Sequence, residues 1–345
     1  MTQTINKPTL WQRIQRQWKN NPLFSTALVL VLMIILQTLA LGFDFKTFGE
    51  WFSYWGRNWI NILRNNAMVG IVALGMCLVI ISGGIDLAVG STLVAVGATL
   101  MFFINGYPTG ILTAAGITGV PAFAIGILAC LIMGCAVGGV SGLLIAKQKL
   151  PAFIATLGMM KICRSVTQQV MQTTAVKVPS EFLAIANTKI GGQVILPIIY
   201  WLVLAVILHI ISKKTSFGRH VFAIGSNERT ARLSGINVEK VKALVYVLSG
   251  FLVSISAIIS VARIGSMDYA NAGSGYEMDA IAAVIIGGTS MSGGKGSVVG
   301  TVLGMLILAV MNNLLNLIGV PPFLREAFKG VIVIAAVMLQ KKENN

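Results

Sequence analysis

Apolar runs recur along almost the whole chain, broken by short polar stretches and by two segments dense in glycine. A bilayer core about 30 Å thick takes about 20 residues of α-helix to cross. Cut by that ruler, the sequence predicts ten spans, at 23–41, 59–81, 88–104, 122–146, 151–171, 194–212, 243–262, 279–288, 298–318 and 326–339. The eighth is short for a full crossing. The expected fold class is all-α: a polytopic transmembrane helix bundle, about ten spans with Gly-rich broken helices. No segment between spans has the length and polarity of a soluble domain. Residues 23–339 are therefore expected to form a single transmembrane domain, between a cytoplasmic segment at 1–22 and a cytoplasmic tail at 340–345.

Composition narrows the classes further. Of 345 residues, 56% are hydrophobic and 11% charged, against about 25% charged in soluble domains, which excludes a water-soluble enzyme. Histidine (2) and cysteine (4) are scarce, and Cys77, Cys130, Cys135 and Cys163 all lie in apolar stretches, where they read as small buried hydrophobes. No metal site is expected. A net charge of +15 would point to nucleic acid in a soluble protein, but here the basic residues sit at span ends and form no single patch, so no nucleic-acid partner is expected. Placing the N terminus inside puts 16 Lys/Arg in the inner segments and 6 in the outer ones, so the positive-inside rule predicts that both termini are cytoplasmic. The first apolar run, preceded by Lys7, Arg13, Arg16 and Lys19, is too long for an ordinary signal-peptide core and reads as an uncleaved helix.

Two interruptions carry the candidate chemistry. Gly83-Gly84-Ile85-Asp86-Leu87-Ala88-Val89-Gly90-Ser91 places small residues and one carboxylate between two apolar runs. Non-helical backbone at membrane depth survives only where protein or a water-filled cavity satisfies it. Asp86 is expected to cap the following helix, to line a path, or both. The second break, Gly287 to Ser297, follows the short span that starts at Asp279 and contains Thr289 and Ser290. Its Gly-Gly-Lys-Gly-Ser stretch lacks the spacing of a phosphate-binding loop, so ATP hydrolysis is not expected in this chain and the energy must come from a partner or an ion gradient. Arg64, Lys161 and Arg164 fall inside spans and are expected to snorkel or to pair with acids such as Asp86. Gly134, Gly138, Gly139, Ser141 and Gly142 predict close helix packing.

The longest inner loop, 213–242, contains Asn227-Glu228-Arg229-Thr230-Ala231-Arg232-Leu233-Ser234-Gly235. It predicts a short helix capped by Asn227 and stopped at Gly235. Its mixed charged, small and apolar faces suit docking into a partner's groove.

These segments resemble the inner-membrane permease of bacterial monosaccharide ABC importers of the ribose type. The resemblance rests on Ile81 to Ser91 and continues through Phe153-Ile154-Ala155-Thr156-Leu157-Gly158, Phe217-Gly218-Arg219, Ala223 to Asn227, Leu233 to Val238, Ala262 to Ser266, Gly275 to Ala283, Gly287 to Gly300 and Asn312 to Val320. It covers most of the chain from about residue 60 onward; Arg229-Thr230-Ala231 departs from the small residues common in the family. What it implies is a permease subunit in the bacterial inner membrane, among membrane lipid, that pairs as a homodimer. Its sugar would come from a periplasmic or lipid-anchored binding protein. A cytoplasmic ATPase with two nucleotide-binding domains would bind the ATP and Mg, and this chain itself would need no cofactor. Carried over by position, Asn227, Glu228, Arg229, Ala231, Arg232, Ser234 and Gly235 would form the ATPase-coupling loop, and Gly83, Gly84, Asp86, Gly90, Ser91, Asp279, Thr289 and Ser290 would lie near the translocation path. The residues alone leave an alternative open, an ion-coupled secondary transporter using Asp86 and Asp279 as proton or cation sites.

Overall fold

The computed structural model describes residues 22–43, 45–107, 110–172, 174 and 176–343. Among them the helices are α1 (Pro22–Ala40), α2 (Phe48–Ile81), α3 (Val89–Ile104), α4 (Ile111–Ala114), α5 (Gly119–Ala146), α6 (Ala152–Met171), α7 (Ser180–Asn187), α8 (Leu196–Lys214), α9 (Ser216–Ser226), α10 (Glu228–Leu233), α11 (Val238–Ile264), α12 (Tyr276–Ile286), α13 (Val298–Leu317) and α14 (Pro322–Glu343). A minimal antiparallel hairpin, β1 (Lys189–Ile190) and β2 (Gln193–Val194), precedes α8 with Lys189 opposite Val194 and Ile190 opposite Gln193.

Every predicted span falls on a helix. Six of them, α1, α2, α5, α8, α11 and α13, are by themselves long and apolar enough to cross a membrane, and α3 is a shorter apolar helix. The short eighth span is α12, whose 11 residues reach about 17 Å, near half the hydrocarbon thickness. Two boundaries move. The last helix runs to Glu343, so residues 340–343 continue α14 instead of forming a tail; the segment at 1–21 and residues 344–345 lie outside the described residues.

The second boundary is the start of α2, at Phe48, inside what the pattern predicts to be an outer loop at 42–58. Thr47 caps it by accepting the Glu50 N–H at 3.2 Å. Phe48, Trp51, Phe52, Trp55 and Trp59 recur at helical spacing; the first four stack on one another and Trp59 packs tilted against Trp55. The indole N–H groups of Trp51 and Trp55 donate to Gly42 O at 3.0 Å and Thr38 Oγ1 at 3.1 Å. These bonds fasten the start of α2 to the end of α1, which is why the helix continues where hydropathy alone ends it.

At the centre, α2 and α11 are the most enclosed of the long helices. α5 lies along α11 at backbone distance. A Cβ on Gly134 or Gly250 would overlap the other glycine's carbonyl, and one on Gly138 would overlap the carbonyl of Tyr246. The close packing expected of this small-residue stripe is therefore what the stripe does.

Candidate functional site

Both glycine-rich breaks end their helices in the same way. After α2, Gly83 takes φ +81°, its N–H reaches Ile80 O at 2.9 Å, and the Gly84 N–H reaches Val79 O at 3.0 Å. After α12, Gly288 takes φ +83°, with its N–H on Ile285 O at 2.9 Å and the Thr289 N–H on Val284 O at 3.1 Å. This crossed pair of bonds is the Schellman closure, and its left-handed residue is one that glycine adopts without a Cβ penalty. The breaks are built turns that satisfy their own carbonyls.

The two breaks also touch each other. Gly294 N–H donates to Ile81 O at 2.9 Å, and Gly225, near the end of α9, is wedged against both. A Cβ on Gly225 would overlap Ile81 O and lie 2.5 Å from Gly294 N, while one on Gly293 would lie 2.8 Å from Gly225 O and 3.1 Å from Gly83 N. Three segments far apart in sequence thus meet through bare backbone, and Asn227, the N-cap of α10, follows after a single residue.

Asp86 lies buried in the first break. Its Oδ1 accepts the Ala88 N–H at 3.0 Å and its Oδ2 accepts from Ser249 Oγ at 3.3 Å. It therefore holds the entry to α3 and ties that entry to α11. One helical turn away, Tyr246 OH donates to Ile85 O at 3.3 Å, and a Cβ on Gly84 would meet that hydroxyl. Among the described residues no cation pairs with Asp86. Arg64 instead donates to Asn61 Oδ1 at 2.9 Å, and Arg164 donates to Ala272 O at 2.8 Å and Ala270 O at 3.3 Å.

The Arg164 bonds locate a segment that sequence placed in an outer loop. Residues 265–275 fold back until Gly273 meets Gly90 in the first turn of α3, so closely that a Cβ on either glycine would overlap the other's carbonyl oxygen. Glu277 is drawn to the same place, its Oε2 2.7 Å from where a Gly90 Cβ would stand. Ser91 is buried beside it. In the first turn of α12, ahead of the second break, Asp279 pairs with Lys329 of α14 at 3.1 Å. Ser290 organises its own turn, with its N–H on Lys295 O at 3.0 Å and its Oγ accepting from Ser292 N at 3.3 Å. Thr289 is fully buried. Ser290 thus helps the second break hold its own turn.

The predicted short helix is α10. Asn227 Oδ1 accepts the Thr230 N–H at 2.9 Å; Gly235, at φ +81°, ends it with its N–H on Arg232 O and the Ile236 N–H on Ala231 O, both at 3.1 Å. Its faces are divided by neighbours that sequence does not reveal. Ala231, expected in the docking face, is buried. Glu228 and Arg232 are engaged with α11 and with each other, through Glu228–Lys242 at 2.6 Å, Arg232–Glu239 at 3.4 Å and Arg232–Glu228 at 3.7 Å. Arg229, Ser234 and Gly235 remain exposed. So does Leu233, at 83%, which the sequence reading passes over; an apolar residue in a charged loop was the only available signal.

The hydrogen bond from Lys242, opposed in part by burial and aided by the charges of Lys242 and Arg232, holds the Glu228 carboxyl below its ordinary 4.5. A depressed carboxylate stabilises the fold above its unfolded value and loses that contribution as pH falls through the lowered one. The tether between α10 and α11 is therefore intact at neutral pH and is lost only on acidification below about 4.5. Glu228→Gln is expected to raise amide exchange across 228–236 about two- to fivefold, the equivalent of up to about 1 kcal/mol for exposed pairs. Exchange equal to the unsubstituted protein's would show that the tether holds nothing.

A cavity of about 330 Å³ opens beside this tether, lined by Gly83 and Gly84 of the first break, Glu228 and Arg232 of α10, and Lys149 and Tyr246. Helix α10 and the first break share its wall. Among the described residues no cluster of His, Cys, Asp and Glu could hold a metal ion.

Residues 58–337 match the family described as branched-chain amino acid transport system/permease component. The chain is 40% identical to the ribose import permease protein of Escherichia coli K12, over 91% of this chain and 92% of that one. It is 31% identical to the xylose transport system permease protein of Haemophilus influenzae, over 90% and 95%, and 36% identical to an inner membrane ABC transporter permease protein of E. coli K12, over 81% and 82%. No solved structure matches.

Proposed function

Since this chain belongs to the family of branched-chain amino acid transport system/permease components, we propose that it is the membrane-spanning permease of an ATP-driven importer whose load is a monosaccharide. It is the transmembrane component and not the ATPase. The observation that carries the sugar load is the near-full-length likeness to a ribose permease. A neutral sugar needs hydrogen-bonding groups and no counter-charge, and Asp86 and Asp279 are already engaged by Ser249 and Lys329.

In this reading a binding protein delivers the sugar at one membrane face, and a separate ATPase with two nucleotide-binding domains binds ATP and Mg at the cytoplasmic face, where both termini lie. The permease works as a homodimer. Exposed Leu233, Arg229 and Ser234 dock into the ATPase, while Glu228, Arg232 and buried Ala231 fix α10 to its own chain. A push on α10 is passed through Asn227 to the backbone junction of Gly225, Ile81 and Gly294, and so to both breaks at once. Net transport requires that ATP and the loaded binding protein each interact differently with the two end states.

The test is co-expression with the neighbouring ATPase and binding-protein genes, followed by purification. The ATPase is expected to co-purify and to hydrolyse ATP faster when binding protein loaded with sugar is added; Leu233→Glu is expected to cut the co-purified ATPase at least fivefold. Uptake driven by an ion gradient without an ATPase would overturn the reading.

A further inference from the structure

Helix α6 falls on an expected span but is not by itself apolar enough to cross a membrane. In its first turn Phe153 and Ile154 are exposed; from Gly158 onward the exposed surface spans about half the circumference and divides in two. On one side lie Gly158, Lys161, Ser165, Gln169 and Gln172, at steps of three or four residues that keep them on one face. On the other lie Ile162, Val166 and Val170, each at least 44% exposed.

Hydrocarbon does not tolerate the first of these. Lys161 sits at the middle of the 20-residue helix, about 14 Å from either end, too far for its stem to carry the ammonium to an interface. Among the described residues no acid pairs with it. Gly158 adds an independent observation. It is exposed in a helix interior, where glycine costs about 1 kcal/mol relative to alanine. A Cβ there would meet nothing within 4 Å; no neighbour in the protein requires the missing side chain. At the foot of the same helix, Pro151 and Ala152 line the cavity shared by α10 and the first break.

We propose that this polar half of α6 lines the translocation path, with Ser165 and Gln169 presenting hydroxyl and amide groups to a neutral polyhydroxylated solute and Gly158 leaving room for it, while Ile162, Val166 and Val170 face lipid. The inference rests on the sugar-permease reading and adds the residues that the solute passes. The amides and the hydroxyl suit a load that offers hydrogen bonds.

The test uses the assembled complex in membrane vesicles. Single cysteines at Ser165, Gln169, Val166 and Val170 are exposed to a membrane-impermeant sulfonated thiol reagent. The native cysteines are buried except for half-buried Cys135, so the unsubstituted complex gives the background. The cysteines of Ser165→Cys and Gln169→Cys are expected to react at least tenfold faster than those of Val166→Cys and Val170→Cys. Ser165→Trp and Gln169→Trp are expected to lower D-ribose uptake at least tenfold with unchanged ATPase co-purification, and Val166→Trp to stay within twofold. Equal rates at the four positions, fast or slow, or full uptake by both stripe variants would overturn the assignment. Failure of the unsubstituted complex to take up any sugar would count against the sugar load, and the lining role would then be decided by the thiol rates alone.

Discussion

Gly225→Ala is expected to lower transport by the assembled complex at least tenfold and to destabilise the protein by about 2–4 kcal/mol. The added methyl would overlap Ile81 O and press on Gly294 N. Neither is the end of a flexible side chain that can swing away; both are backbone, and they are hydrogen-bonded to each other. Relief requires α9 to separate from the two breaks, or the breaks to part from each other at the cost of that bond, and either movement opens the link between α10 and the bundle. Gly139→Ala is the control, because a Cβ there meets only Val247 Cγ2 at 3.5 Å, an ordinary contact, and alanine improves helix propensity. Thermal unfolding in detergent, read beside uptake, checks both variants. A Gly225→Ala protein that melts and transports like the unsubstituted one would remove the junction from the mechanism.

Substitution of Asp86 separates holding from charge. Asp86→Ala would leave the Ala88 N–H and the Ser249 hydroxyl without the carboxylate that now accepts from both. A buried donor left unsatisfied costs about 1–3 kcal/mol, so folded protein in the membrane should fall several-fold. Asp86→Asn keeps an oxygen to accept from Ala88 and an amide that can donate to Ser249 Oγ while deleting the charge. It is expected to retain abundance and at least half of the uptake. Normal abundance with uptake lost in Asp86→Asn would mean that the negative charge itself acts in transport, and would restore the cation-site reading of this residue.

The local features were legible before the fold was known. Twenty-residue apolar runs announce helices that a bilayer can hold, and Asn227 with Gly235 brackets α10 because capping and left-handed closure involve only residues within a turn of each other. The shortness of α12 could be read from the glycines after it. Leu233 and Ala231 could not be sorted in the same way. Which of them turns outward depends on where α11 lies, and the charge pairs that settle it span up to 14 positions.

What the sequence by itself determined is the class of molecule, the helical spans, the turns that end them and the cap of α10, since each follows from hydropathy or from interactions within a few residues. Only the tertiary structure decided that the two breaks meet at Gly225, that residues 265–275 fold back onto Gly90, and that Arg164 holds two carbonyls of that segment instead of Asp86. The reason is physical. These contacts run between backbone atoms, and glycine records only that a neighbour is allowed to come close; which one does is settled when the whole bundle packs.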